Sequence, residues 1–113
     1  MSTATNEELV AYTDIQDCKK NGDKSAAILV ITSHALILVD NWKFVMKRVH
    51  LSNVKIMGME PSNTSVLFYT DNKDHLWILS DKSDEIIKLV ESVFFEGHKK
   101  YVPVANFDST MSL

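Results

Sequence analysis

Residues 26–54, AAILVITSHALILVDNWKFVMKRVHLSNV, constrain the fold more than any other part of the chain. Three apolar runs follow one another there. Ala26–Ile31 breaks at Thr32-Ser33-His34, and Ala35–Val39 ends at Asp40-Asn41. A third run, from Trp42, mixes large apolar and basic residues through Lys47-Arg48 to Leu51. Turn signals about ten residues apart leave no room for the crossover of a dozen or more residues that parallel strands need. The stretch therefore reads as an antiparallel meander. In the third run Phe44 and Met46 share one parity, Val49 and Leu51 the other. A bulge near Lys47-Arg48 is expected to bring both pairs inward, because one extra residue flips the face of all that follow.

The flanking segments extend the pattern. Residues 1–6 (MSTATN) are small and polar and are expected to be disordered. Glu7 to Lys20 supplies an irregular first strand, joined to Ala26–Thr32 by Asn21-Gly22-Asp23, whose Asn-Gly suits a tight hairpin. Ser52-Asn53 turns the chain into VKIMGME, with Gly58 as a kink. Pro61–Thr64 turns it into SVLFYT, and Asp71–Asp74 into HLWIL, making seven strands. The period then changes. Between Asp81 and Gly97, Ile86, Leu89, Val90, Val93 and Phe94 form one helical stripe. Asp81, Asp84 and Glu85 crowd the first turn, which suits the helix dipole. Ser80, Asp81 or Ser83 is the expected cap, and Gly97 the expected end. The boundaries are a folded domain over 7–102 and a partly packed tail over 103–113. A chain of 113 residues forms a core without disulfide or metal staples.

Charge is distributed unevenly. Between Cys18 and Lys55 the chain carries +5, from Lys19, Lys20, Lys24, Lys43, Lys47, Arg48 and Lys55 against Asp23 and Asp40, while the remainder carries −8. Such a split gives a dipolar molecule with one face suited to anions, unless the lysines are only the solvated outer face of strands. Catalytic chemistry lacks its parts. The four histidines show no metal spacing, and Cys18 is the only cysteine. The three glycines are too scattered for a phosphate loop, so no enzyme activity and no cofactor are expected. Basic and aromatic residues do not interleave as in RNA-binding sheets, which disfavours nucleic acid. No secretion signal and no membrane-spanning run is evident, so a cytoplasmic location is expected. Trp42 and Trp77 suit either a membrane interface or packing over a sheet edge.

Seven strands and a last helix are the order of a pleckstrin-homology-like (PH-like) domain. Within that frame the chain resembles the tail homology region of class I myosins. The matching segments are Tyr12-Thr13-Asp14, Ile28–Thr32 with Ala35-Leu36, Val45–Leu51, and Asp84-Glu85-Ile86-Ile87, in the same order. Met46 stands where the family has a third basic residue, and His50 where it has proline. The resemblance implies an α+β, mainly β fold: a seven-stranded antiparallel sandwich or barrel capped by one amphipathic helix. It also implies a non-catalytic module, peripheral at the membrane, that recognises anionic phospholipid, a phosphoinositide headgroup in particular. The implied site is Lys47 and Arg48, with Lys19, Lys20 and Lys24 on the facing first hairpin, and Lys43 beside Trp42 is counted with them. Each basic residue near an anionic leaflet contributes about 1 kcal/mol. The alternative is a protein-interaction or assembly module, in the myosin setting a cytoskeletal one involving actin. It would use a strand edge and the helix face, where Ile87 and Phe95 flank the main stripe.

Overall fold

The structure is a computed structural model that describes residues 7–18, 23–40, 43–60, 65–70 and 75–106. The apolar runs are strands. Strand β1 (Leu9–Cys18) pairs antiparallel with β2 (Lys24–Thr32), β2 with β3 (Ala35–Asp40), and β3 with β4 (Phe44–His50). One turn of 3₁₀ helix, Leu51–Asn53, leads into β5 (Val54–Met59). Then follow β6 (Ser65–Thr70), β7 (Leu76–Leu79), helix α1 (Ser83–His98) and β8 (Val104–Asn106). All eight strands form one sheet in the order β4-β3-β2-β1-β7-β6-β5-β8. Strand β1 is the seam, pairing along its length with β2 on one side and through Gln16 and Asp17 with β7 on the other.

The core lies between the two halves of this bent sheet. Ala27, Leu29 and Ile31 of β2 and Leu36 and Leu38 of β3 meet Met57, Val66, Phe68, Leu76 and Ile78 from the other half. Helix α1 completes the cluster with Ile86, Ile87, Val90 and Phe94. Burying each large side chain of this kind contributes about 1.5–3 kcal/mol, which makes the cluster the main stabilising feature. Ile28 and Val39 are also buried, although they face each other across β2 and β3 outside that cluster. The outer face of these central strands is therefore partly buried too, with Val30 and Ile37 half-buried on it, and their sequences run continuously apolar instead of alternating.

Three expectations need correction. The bulge is present beside Lys47 as expected, with Leu38 paired to Lys47 and Val39 to Val45 so that Met46 is the extra residue, but its effect differs. It does not bring Phe44 and Met46 inward, since both stay exposed at the start of an edge strand. No side chain caps α1, whose N-cap is Lys82; the Ser80 hydroxyl instead accepts the Lys82 N–H at 3.0 Å. At the other end the left-handed residue is Lys99 (φ 57°), whose N–H reaches the Phe95 carbonyl at 2.8 Å, while Gly97 is still helical. An eighth strand also appears, because β8 runs parallel to β5 and the Met57 N–H bonds the Pro103 carbonyl at 2.9 Å.

Candidate functional site

Alternating strand directions bring the β1–β2, β3–β4 and β6–β7 connections to one end of the sandwich. Three of the sequence-derived cations lie on the strands and turns around this mouth. Lys24 is exposed as the first residue of β2, opposite Cys18. Lys43 is exposed in the β3–β4 turn, where its N–H bonds the Asp40 carbonyl at 2.9 Å. Lys47 pairs with Leu38 and so shares the core-facing side of β4. Its half-buried stem crosses to the other half of the sheet, where Nζ donates to the His75 carbonyl at 2.8 Å. That bond joins β4 to the start of β7 and holds one ammonium at the mouth. The His75 ring stacks on Tyr69 with centroids 3.9 Å apart and accepts the Thr70 N–H at 3.3 Å, which orders the same corner. The Ser25 hydroxyl, one residue in from Lys24, is buried and has no hydrogen-bond partner among the described residues.

Arg48 does not join them. Successive strand residues point to opposite faces, and Arg48 lies opposite Ile37 on the outer one. There its guanidinium grips Glu7 at 2.7 and 2.9 Å, and the Thr32 hydroxyl donates to the same carboxylate. The Thr32 and Arg48 hydrogen bonds hold the Glu7 carboxyl below its ordinary value. Lys47 and Arg48, adjacent in sequence, are thus committed to different surroundings. Lys19 and Lys20 lie outside the described residues, as does Trp42. Trp77 is half-buried, its indole N–H donating to the Ser65 hydroxyl.

The helix positions also diverge. Ile87 is buried in the core, so it is not part of an exposed patch; facing the sheet, it widens the core contact. Phe95 is half-buried and stacks on the exposed ring of Tyr101, with centroids 4.6 Å apart. Sequence reasoning missed a small basic hollow of about 140 Å³ beside the end of α1, whose lining includes Lys55, His98 and Lys100. Cations there complement the negative end of the helix dipole. A larger, open cleft of about 460 Å³ includes Asp14 and Asp81 in its lining, which does not suit an anion. Burial pushes the Cys18 thiol up, keeping it protonated and a poor nucleophile. Among the described residues no cluster of three or more His, Cys, Asp or Glu could hold a metal, and no helix is long and apolar enough to cross a membrane.

No protein-family model matches the sequence, and no curated protein is similar to it by sequence. Solved structures do match. The C-terminal PH domain of human pleckstrin superposes with a TM-score of 0.68 at 10% identity, covering 83% of this chain and 85% of that one. The fold is that of a PH domain. The hSac2 domain of the human phosphoinositide phosphatase Sac2 matches with a TM-score of 0.68 at 11% identity, over 94% of this chain and 81% of the other. The PH domain of Slm1, solved with inositol-4-phosphate, matches with a TM-score of 0.59 at 10% identity, over 78% and 95%. The order of seven strands and a helix read from periodicity is therefore present, as is the PH-like fold that the resemblance implied, with β8 added to it.

Proposed function

We propose that this PH-like chain is a non-catalytic module that recognises anionic phospholipid at the mouth between the β1–β2, β3–β4 and β6–β7 connections. The observation that carries this reading is the placement of Lys24, Lys43 and Lys47 around one end of the sandwich, with Lys47 fixed there by its bond to the His75 carbonyl. Phosphate recognition needs several donors converging on one point, and cations on separate connections provide that. The Slm1 PH domain with inositol-4-phosphate supports a phosphoinositide headgroup as the ligand class. The ordered matches to the myosin tail homology region, Val45–Leu51 above all, support the same assignment. Arg48 contributes less in this reading, since Glu7 already neutralises it.

Co-sedimentation with vesicles of phosphatidylcholine, phosphatidylserine and a phosphatidylinositol monophosphate tests it at low and high salt. Wild type binds at low salt and releases at high salt, because the contacts are screened surface charges. Lys24→Glu/Lys43→Glu abolishes binding, whereas Arg48→Ala leaves most of it; thermal melting confirms that both variants fold. A wild type that stays in the supernatant with every anionic lipid sinks the proposal.

A second reading, a protein-interaction module, draws on Tyr101 stacked outward over Phe95 and on the N-terminal half of β1, whose ladder pairing is to β2 alone. Binding through those groups would persist at high salt.

A further inference from the structure

We infer that the start of β4, Phe44-Val45-Met46, is an apolar blade that enters the acyl region of an anionic membrane while the adjacent lysines hold the headgroups. This rests on the lipid reading above and adds an apolar component that strengthens the low-salt binding without replacing the lysine contacts. Phe44, Val45 and Met46 are 68%, 65% and 43% exposed, three consecutive apolar side chains on the surface, whereas the other exposed large apolar residues among the described residues are the pair Leu9-Val10 and the isolated Tyr12, Ile56, Tyr69, Tyr101 and Val104. Phe44 and Val45 pair with Asp40 and Val39, neighbours on β3, so their side chains leave the strand on opposite faces. A tip that is apolar on both faces has no single core face to bury. The bulge at Met46 bends the strand just there and sets it off from Val49, which returns to the core.

The occupant follows from what surrounds the blade. Lys43, exposed, precedes it, and Lys47 follows it with its ammonium held at the adjacent mouth by the His75 carbonyl. An anionic bilayer presents that combination, negative headgroups above hydrocarbon. A second copy of the chain does not. Strand β4 is the edge of the sheet, but an antiparallel pairing of two copies centred on Val45 sets Lys43 of one against Lys47 of the other. Like charges directly opposite are destabilising, and a bulged edge flanked by lysines resists strand addition.

The test compares wild type with Phe44→Ser/Met46→Ser on the vesicles described above. It also uses Phe44→Cys, in a Cys18→Ser background, carrying an environment-sensitive dye. The double serine variant keeps its native melting temperature and its salt-sensitive binding. Its overall partition falls about tenfold or more, in proportion to the apolar area withheld from the bilayer. The dye shifts to the blue on binding and is shielded from an aqueous quencher. Serine variants that bind like wild type, with a dye still quenched, overturn the blade while the headgroup reading stands. Absence of wild-type binding overturns both. Light scattering that shows a dimer, lost in the serine variant, reassigns the tip to contact between copies.

Discussion

Glu7 is held by two donors of different kinds, the Arg48 guanidinium and the Thr32 hydroxyl, the latter also accepting the Ala35 N–H at 2.9 Å. One carboxylate therefore links the start of β1, the β2–β3 turn and β4. Its folded pKa lies below the ordinary 4.5, so its contribution is complete above the unfolded value and is lost as pH falls through the folded one. In thermal melts, Glu7→Gln is expected to be less stable than wild type near neutral pH by about 0.2–1 kcal/mol, the range for an exposed ion pair. The gap narrows below about pH 4 and closes once the wild-type carboxyl is protonated. A gap that stays constant down to strong acid contradicts the assignment. The same residues show what the sequence could tell about the site. Lys47 and Arg48 were visible as a pair, and strand alternation already required them to part. Which of the two faced the mouth depended on the bulge at Met46 and on Glu7, a carboxylate 41 residues away that no local pattern announces.

Helix α1 was the clearest element in the sequence, and its errors are at its ends. The stripe of Ile86, Val90 and Phe94 is in the core as the period requires. Gly97 looked like the stop signal because glycine usually takes the left-handed position after a helix. Instead the helix runs on to His98, where the ring stacks on Phe94 at 4.2 Å and makes a 3.2 Å hydrogen bond with the Phe94 carbonyl. Lys99 takes the left-handed position at a steric cost. Two opposite substitutions check this. Gly97→Ala meets nothing within 4 Å of the new Cβ and should stabilise the protein by about 0.5–1 kcal/mol in urea denaturation. Lys99→Gly should stabilise it by a similar margin, about 0.5–1 kcal/mol, by relieving the strained backbone. If the helix ended at Gly97, the alanine variant would be destabilised. The strands were legible for the same reason as the stripe, since runs bounded by turn residues leave few alternatives. Strand β8 was not, because three residues that pair along one edge carry no period.

At the scale of the molecule, a bent sheet with a helix across its opening has two free edges, and the chain treats them differently. The β4 edge is short, bulged and flanked by lysines. The β5 edge is covered by the chain itself, β8 lying parallel to it from Met57 to Met59 with Val102 buried just ahead. An uncovered β5 would offer its row of N–H and C=O groups, Met57 among them, to any passing strand. Removing residues 103–113 should therefore act on association more than on folding. The core cluster is complete at Val102, so the truncated chain still unfolds cooperatively, with stability reduced by about 1–2 kcal/mol for the lost backbone bonds. Light scattering should show concentration-dependent association stronger than that of the full chain. Met57→Pro placed in the truncated chain cannot serve as the control, because Met57 is fully buried. A lysine at Ile56, half-exposed beside it, is the suitable one, since a charge on an open edge opposes strand addition. Association that persists unchanged in Ile56→Lys would mean that the tail covers some other surface than the β5 edge.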